Sequence, residues 1–313
     1  MGQPVESRYL WIYENNPHGG AASWVAEDST SAQVIACTSC FPRRLFVAET
    51  EVLGCVGGDT FVHPDWRQRG IAGALWAAAH KDLPRVGLAF HYGFPGLDNR
   101  KAIRKAGSIE LETFHRLVLP LSLRKLKTLP ATIVGRALRY RQFGKSNRRD
   151  LTIQELTPEA QGVWEEVGSL WDEASRAFLI GLVRSVEFFR WRYSAAPGEP
   201  PLLVGNRREG RLVGFAAITK DGSKHTIYDF FARDEETARV FLLHLGAWLG
   251  QRGADAVSVV LNTQGPYYLQ AFRKAGFVRR ERYPFLIYVE PELGCRERLC
   301  NPAGWYITTA DLD

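Results

Sequence analysis

The sequence predicts an α/β protein built from two tandem mixed-sheet domains that are flanked by helices. Strand and helix patterns alternate along both halves of the 313-residue chain, and one short stretch recurs in both halves just before a strand. Hydrophobic residues make up 45% and charged residues 24% of the chain, a composition typical of soluble globular proteins and not of disordered ones. We therefore expect packed cores in both halves.

The first half has the predicted order strand, helix, strand, helix, strand. Leu53–Val62 is a glycine-interrupted strand, and Gly70–Lys81 is helical because small and apolar residues recur every three or four positions. The later elements are a short apolar strand, a helix that stops at a glycine, and a third strand: Val86–Tyr92, Leu97–Lys105 and Ile109–Leu119. This order indicates a sheet with helices packed on it.

The second half has the same order after an initial hairpin, whose turn is predicted at Glu209-Gly210. The expected elements are the strands Pro201–Val204, Arg211–Thr219 and His225–Ala232, the helix Glu235–Gln251, the strand Ala256–Leu261, the helix Pro266–Lys274 and the strand Phe277–Val289. The second half is therefore expected to form a sheet of the same kind.

A segment of sequence is shared by the two halves. Ala102–Gly107 (AIRKAG) matches Ala271–Gly276 (AFRKAG), and each copy follows a short apolar strand and precedes another strand. A period of about 170 residues is far too long for a solenoid, so it indicates a duplicated domain. The predicted organisation is an N-terminal domain over 1–120, a basic linker over 121–150 and a C-terminal domain over 151–313.

The basic charge of the protein is concentrated in that linker. Arg124–Arg149 holds nine lysine or arginine residues and no acid, and without them the formal net charge of +6 would be −3. A patch this local argues against a general nucleic-acid binder. Because leucines are interleaved with the basic residues, the segment could bind an anionic membrane, dock an acidic acyl carrier protein, or pack as an ordinary surface helix.

Five cysteines, an odd number, agree with a reducing compartment, and no stretch reaches the length of a membrane span or has the layout of a secretory signal. We expect a cytoplasmic protein, or one held at the inner membrane face. Two cysteine pairs, Cys37 with Cys40 and Cys295 with Cys300, leave a zinc site as an alternative. We expect no metal, with Cys37 in an apolar strand and the other three in loops.

The segment after the first predicted strand carries the clearest chemical signal. A strand that ends at Phe61-Val62 is followed by arginines and glycines over Arg67–Gly73, and a helix begins at once. The free N–H groups and positive dipole end of a helix suit a pyrophosphate, and glycine or alanine lets it approach. Close helix packing by the glycines, with solvated arginines, is the alternative explanation.

Arg67-x-x-Gly70-x-Ala72 resembles the R/Q-x-x-G-x-G/A motif of the GNAT family of acetyltransferases. The resemblance implies a GNAT fold in both domains and acetyl-CoA or another acyl-CoA as co-substrate, without a metal. It also implies a set of cofactor-binding residues on the strand, the loop and the next helix: Phe61, Val62, Arg67, Gln68, Arg69, Gly70, Ile71, Ala72, Asn99 and Lys105.

The second domain resembles a degenerate GNAT domain. Arg233–Glu236 follows the equivalent strand without a glycine, and its acids would repel a pyrophosphate. The segment Phe188–Tyr193 resembles the Trp-Arg-Tyr element of tandem GNAT proteins associated with surface-polysaccharide genes. The resemblance therefore implies one catalytic domain and one acceptor-side domain.

The acid–base groups are harder to assign. Asp59 is the carboxylate on the strand beside the expected cofactor, with His63 just beyond, and the alternative is a carboxylate satisfied by backbone amides. The position at which GNAT enzymes often carry a tyrosine is Ile103 here. His91 and Tyr92 on the neighbouring strand are the predicted replacements, although both residue types also serve in packing.

These features predict an N-acyltransferase that moves an acetyl or longer acyl group from CoA to a primary amine on a small molecule. The resemblance implies an amino sugar as the acceptor. The alternatives are an N-acyl amino acid synthase that uses acyl-CoA or acyl carrier protein, and a CoA-binding scaffold without catalysis.

Overall fold

A computed structural model describes residues 5–122 and 152–312 of the chain. The described residues form a mixed α/β structure, which confirms the predicted fold class. The basic segment Arg124–Arg149 lies outside the described residues, and so do the predictions made for it. Within the described part, no helix combines the length and the apolar character that crossing a bilayer requires.

Thirteen strands are found in the described residues. They are β1 (Ala22–Glu27), β2 (Val34–Val47), β3 (Thr50–Val62), β4 (Phe90–Gly93), β5 (Ile109–Pro120), β6 (Thr152–Glu155), β7 (Ile180–Leu182), β8 (Leu202–Arg208), β9 (Arg211–Asp221), β10 (Lys224–Ala232), β11 (Ala256–Asn262), β12 (Val278–Val289) and β13 (Trp305–Tyr306). The hairpin between β8 and β9 turns at Glu209-Gly210, as predicted, with both residues at positive φ.

Among the described helices, α1 precedes β1 and the others lie between strands. They are α1 (Val5–Tyr9), α2 (Ile71–Asp82), α3 (Leu97–Lys105), α4 (Val163–Ser175), α5 (Val186–Tyr193), α6 (Glu235–Gln251), α7 (Leu269–Lys274) and α8 (Arg296–Leu299). A π-helical turn, Leu10–Glu14, follows α1, and a 3-10 turn, Pro64–Trp66, precedes α2. The predicted bounds of α3 and α6 agree with the structure.

The strands form one continuous sheet in which the two halves exchange a strand. The order is β13-β7-β2-β3-β4-β12-β5-β11-β10-β9-β8-β6, and β1 also pairs with β2. The last long strand of the second half, β12, lies between β4 and β5 of the first half. In return β5 pairs with β11 of the second half. Each half therefore receives a central strand from the other.

The repeated sequence segment has the same structure in both halves. It forms the C-terminal end of α3 and of α7, and each helix ends in a glycine at positive φ, Gly107 and Gly276. The N–H of Ser108 bonds the carbonyl of Ile103, and that of Phe277 bonds the carbonyl of Phe272. These matching helix ends lead into β5 and β12, which pair with each other at the centre of the sheet.

Helices cover both faces of the sheet. In β10, Phe230 packs on Phe241 of α6, while the next residue, Phe231, packs on Trp171 of α4. Successive strand residues point to opposite faces, so α6 and α4 lie on opposite sides. In the first half α2 and α3 share one face, which we call the helix face. The helix α1 and the π-helical turn lie against the other, which we call the opposite face.

A buried ion network ties the chain end to the second half. Arg184, which follows β7, contacts Asp229 of β10 at 3.0 Å and Asp311 at 2.6 Å, and all three side chains are fully buried. Tyr193 donates a further bond to Asp229 at 2.6 Å. Since a buried charge is tolerated only with a partner, the network fixes these segments together.

Two predicted elements are shorter in the structure. The strand expected over Val86–Tyr92 begins only at Phe90, because Leu83–Val86 is a 3-10 turn that Pro84 starts and Gly87 ends at positive φ. The helix expected from Pro266 begins at Leu269.

Candidate functional site

A cleft opens where β3 and β4 part. The two parallel strands pair only at Cys55 with His91 and at Val56 with Tyr92. Beyond that point β3 continues to Val62 while β4 ends at Gly93, so the later residues of β3 lack a neighbour on that side. We call this space the cleft. It lies at the carboxyl ends of two parallel strands, where α/β folds place ligands.

The predicted cofactor loop leads from β3 to α2 at the mouth of the cleft. Gln68 and Gly70 adopt positive φ angles of 62° and 81°, which turn the chain into the helix. The Nε of Arg67 donates to the carbonyl of Val62 at 3.0 Å, and the guanidinium of Arg69 lies 4.8 Å from the ring centre of Trp66. Both arginines are exposed, so their remaining N–H groups face solvent at the loop.

The start of α2 is open to a ligand. Its N-cap is Gly70, and no side chain caps the first turn. The first helical bond joins the N–H of Ala74 to the carbonyl of Gly70. The N–H groups of Ile71, Ala72 and Gly73 therefore have no partner within the helix, and they lie at its positive end. This arrangement suits a phosphate group.

Asn99 of α3 reaches across the cleft. Its Nδ2 donates to the hydroxyl of Thr60 on β3 at 3.1 Å, and its Oδ1 accepts from the indole N–H of Trp76 on α2 at 3.1 Å. The hydroxyl of Thr60 also contacts that of Thr38 at 2.8 Å. Of the predicted cofactor residues on the far side of the cleft, Asn99 is the one that faces β3.

The corresponding region of the second half is closed. Asp234 caps α6 by accepting from the N–H of Thr237, and Glu235 accepts from the N–H of Ala271 at 2.6 Å. The hydroxyl of Tyr268 bonds both the N–H and the carbonyl of Ala232 at the end of β10. Since its own side chains use these groups, the second half lacks the open helix start of the first.

His91 points to the helix face at the base of the cleft and is buried. Its Nδ1 lies 3.2 Å from Nε2 of His80, and Nδ1 of His80 lies 3.0 Å from the carbonyl of Ala106. A carbonyl only accepts, so His80 carries its proton on Nδ1 and His91 donates from its own Nδ1. Nε2 of His91 is then a lone pair, and it packs so closely on Gly57 that a Cβ there would overlap it.

Burial keeps both histidines neutral. It lowers the pKa of His80 to about 4 and holds the pKa of His91 well below its ordinary value, with the neighbouring His80 as a smaller cause. Trp76 stacks on His91 at 4.5 Å and Tyr288 on His80 at 4.0 Å. The pair therefore acts first as packing at the base of the cleft.

Tyr92, the next residue, points to the opposite face. It is fully buried against Trp305 and Phe285, and the described residues offer its hydroxyl no hydrogen-bond partner. Burial raises its pKa, so the phenol stays protonated. An unpartnered buried donor beside a cleft is a candidate for contact with a ligand or an ordered water.

Asp59 lies on a bulge of β3, on the opposite face. Its φ is 49°, and the register between β2 and β3 slips at this point. Its carboxylate accepts from both guanidinium nitrogens of Arg8, at 2.7 and 3.1 Å, and from the hydroxyl of Tyr13 at 2.8 Å. The partners of the Asp59 carboxylate are therefore two side chains, whereas the alternative prediction was backbone amides.

Four other predicted residues differ in their positions relative to the cleft. Phe61 and Val62 form the end of β3, and Phe61 is 50% exposed on the opposite face. His63 is turned toward the loop after β3, where its Nδ1 accepts from the N–H of Asp65. Lys105 is exposed at the C-terminal end of α3, and the next residue, Ala106, contacts His80 through its carbonyl.

Sequence reasoning missed several residues of this site. Arg8 and Tyr13 are far from Asp59 in sequence and carry no motif. His80 and Trp76 are four residues apart on the buried side of α2. A histidine on an apolar helix face is a sequence pattern from which the burial of His80 could have been predicted.

The two predicted cysteine pairs lie in different elements of the structure. Cys37 and Cys40 both lie in β2, so the prediction of a loop was wrong for Cys40, and Cys295 and Cys300 flank α8. In residues 5–122 and 152–312, no three histidine, cysteine or acidic side chains form a group that could hold a metal.

No known family model matches the sequence, and no curated protein is a match either. Among solved structures, the chain resembles a conserved protein of unknown function from Enterococcus faecalis described as a probable N-acyltransferase, with a TM-score of 0.64, 12% identity and 91% of this chain covered. A GCN5-related N-acetyltransferase from Anabaena variabilis gives a TM-score of 0.61 at 12% identity, also over 91% of this chain. The chain spans 65% of the length of each.

Saccharomyces cerevisiae N-myristoyltransferase with bound myristoyl-CoA gives a TM-score of 0.59 at 11% identity, with 91% of this chain and 70% of that one covered. Likeness at such low identity concerns the fold. The predicted GNAT-like mixed-sheet fold is confirmed.

Proposed function

We propose that the protein is an N-acyltransferase that moves an acyl group from coenzyme A to a primary amine. The observation that carries the proposal is the uncapped start of α2 beside the cleft. Its N–H groups and dipole favour a phosphate, and Arg67 and Arg69 add positive charge next to it. Proteins of the same fold include an N-acetyltransferase and a protein with bound myristoyl-CoA, which supports the same class of ligand.

In this proposal the pyrophosphate binds the loop and the first turn of α2, from Arg67 through Gln68, Arg69, Gly70 and Ile71 to Ala72. The pantetheine arm enters the cleft between the Phe61-Val62 end of β3 and Asn99 of α3. The bond from Asn99 to Thr60 is neutral and of ordinary length, so an amide of the arm can replace it at little cost. Lys105, exposed at the end of α3, remains a predicted contact of the cofactor.

The reaction joins the amine nitrogen to the thioester carbonyl carbon and breaks the carbon–sulfur bond. The nitrogen begins as an ammonium and gives up two protons: one protonates the departing thiolate and one is released to water. Asp59 is the proposed acceptor of a hydrogen bond from the nitrogen. Of the two predicted residues at the base of the cleft, Tyr92 is the proposed donor to the sulfur, because the N–H of His91 is already donated to His80. His63 is a more distant candidate.

Two further predictions rest only on the resemblance seen in the sequence. They are an amino sugar as acceptor, to which an amino acid is the alternative, and the division into a catalytic and an acceptor-side domain. A carrier protein or an anionic membrane at Arg124–Arg149 remains a prediction about residues outside the described part.

An acid placed at the start of α2 tests the cofactor site. Ala72→Glu adds a negative charge in the first turn of α2, where the helix dipole stabilises it, so the stability of the fold should be retained. A bound pyrophosphate should be repelled, and we expect the dissociation constant of CoA to rise at least about tenfold. Isothermal titration calorimetry with CoA measures the change. Ala78→Glu, the same substitution at an exposed position of the same helix, is the matched control.

Two results would contradict the proposal. CoA binding that survives Ala72→Glu unchanged would remove the phosphate site from α2. Tight CoA binding without release of thiol across a panel of amines would leave a CoA-binding scaffold in place of an enzyme.

A further inference from the structure

An ion pair lies on the opposite face of the sheet, beside the cleft. Arg8 of α1 holds Asp59 of β3 through two parallel N–H donors, at 2.7 and 3.1 Å. The side chains are 35% and 33% exposed, so both remain within reach of a small molecule. The pair therefore presents one positive and one negative group, side by side, at the strand that borders the proposed thioester.

The carboxylate is also part of a chain of hydroxyl groups. Tyr13 donates to Asp59 at 2.8 Å and contacts the hydroxyl of Ser39 at 3.1 Å, and Ser39 contacts Ser23 at 2.9 Å. Burial, together with Asp59, raises the pKa of Tyr13 to about 12, so its phenol remains a donor. These contacts hold Asp59 in place even if Arg8 changes its partner.

The exchange of one ion pair for another is energetically easy here. A solvent-exposed arginine–carboxylate pair contributes only about 0–1 kcal/mol to stability. A ligand that carries both charges restores what it displaces, because its carboxylate can take the guanidinium and its ammonium the Asp59 carboxylate. A ligand with an amine alone would compete with Arg8 for Asp59 and supply no anion in exchange.

We propose that the acceptor is a free amino acid, bound with its carboxylate on Arg8 and its amine nitrogen on Asp59. This inference rests on the proposed function, since it names the acceptor of the same transfer. The amine nitrogen then lies beside the strand that borders the thioester, where it can attack the carbonyl carbon. The carboxylate on the next carbon takes no part in the chemistry and serves recognition.

The surroundings of the pair indicate the kind of side chain. Tyr9, 48% exposed, stacks on Tyr13 at 4.7 Å, and Phe61, 50% exposed, lies two residues beyond Asp59 on β3. Exposed apolar groups beside a polar anchor favour an apolar or aromatic side chain on the ligand.

The test compares two acceptors that differ only in the carboxylate, phenylalanine and phenethylamine, with glucosamine as the third. Thiol release from acetyl-CoA is followed with the full-length protein. We expect kcat/KM to be about 10- to 100-fold higher for phenylalanine than for phenethylamine, the range expected for a charge-assisted bond. Arg8→Gln should raise KM for phenylalanine by a similar factor and should not raise KM for phenethylamine, which no longer competes with Arg8 for Asp59.

The control is Arg85→Gln, which removes an exposed two-bond pair with Asp82 at the other end of α2. This variant should change neither KM nor kcat/KM for phenylalanine or for phenethylamine. Glucosamine or phenethylamine used as well as phenylalanine would overturn the amino-acid proposal while leaving the transferase intact. An equal rise in KM for all acceptors in Arg8→Gln would also overturn the amino-acid proposal, since it would indicate a structural role for Arg8. No thiol release with any amine, by contrast, would count against the proposed function itself.

Discussion

Asn99 and Tyr268 hold the same place in the two halves of the chain, each three residues before the alanine that opens the repeated segment. Asn99 spans the first cleft to the side-chain hydroxyl of Thr60. Tyr268 reaches the main chain of Ala232, bonding both its N–H and its carbonyl. At the same position of the repeat, the side chain in the first half leaves the main chain of the strand available to a ligand. In the second half, the side chain at that position bonds the main chain of the strand itself.

Placing the second-half residue in the first half should close the cleft. Asn99→Tyr puts a phenol where the pantetheine arm is proposed to enter, and we expect the affinity for CoA to fall at least about tenfold. Calorimetry with CoA measures this, and thermal unfolding reports on the fold. Unchanged affinity would place the arm elsewhere. The control is Tyr268→Phe, which should cost about 1–3 kcal/mol of stability by leaving buried groups at Ala232 unpaired, and should not alter CoA binding.

The buried ion network should be critical for stability. Asp229→Asn removes one of the two carboxylates that compensate Arg184 and should lower the free energy of unfolding by about 3–5 kcal/mol. Urea denaturation measures the loss. The control is Glu165→Gln, which breaks the exposed pair with Arg190 and should cost at most about 1 kcal/mol. Equal losses in the free energy of unfolding for the two variants would mean that burial does not determine how much an ion pair contributes to stability.

The neutral histidines should make the protein sensitive to acid. Burial lowers the pKa of His18 to about 3 and of His80 to about 4, and the pKa of His91 is also lowered, while the unfolded chain titrates near 6.5. Below that pH the unfolded state binds more protons, so stability is lost as the pH falls from about 6.5 toward 4. Each histidine contributes up to about 1.4 kcal/mol per pH unit.

Unfolding by urea at a series of pH values checks this dependence. His80→Gln should flatten the slope by about one proton. A free energy of unfolding that is equal at pH 7 and at pH 4.5 would contradict the prediction.

The exchanged strands should make the two halves interdependent. A fragment of residues 1–122 lacks β12, so β4 and β5 would expose unpaired edges, and we expect it to be unfolded or aggregated. Mixing it with a fragment of residues 152–313 during refolding should restore a cooperative thermal transition. Circular dichroism of each fragment and of the mixture measures this. Cooperative folding of residues 1–122 alone would show that β12 is dispensable.

Local pattern predicted the local structure well. The bounds of α3 and α6 follow from apolar periodicity with a glycine stop or an acidic start, and the Glu209-Gly210 turn follows from residues that accept positive φ. The strand exchange could not be predicted, because strands pair through backbone hydrogen bonds that any sequence can form, and the neighbours of β12 are far away in the chain.

The same distinction between local and long-range features holds for the residues of the site. The Arg67–Ala72 loop is contiguous, so its sequence predicts an open helix start, and the structure has one. The Arg8–Asp59 pair joins residues from α1 and from a bulge of β3, and no local signal connects them. Residues that meet only through tertiary structure are those that the sequence left out.

The exchanged strands also bear on how such a protein evolves. The second half lacks the open helix start, and a half without a ligand site of its own would ordinarily be free to disappear. Here its strand β12 fills the middle of the first half's sheet, between β4 and β5. Selection on the first half therefore preserves the second, and neither half can be deleted without leaving strands of the other unpaired.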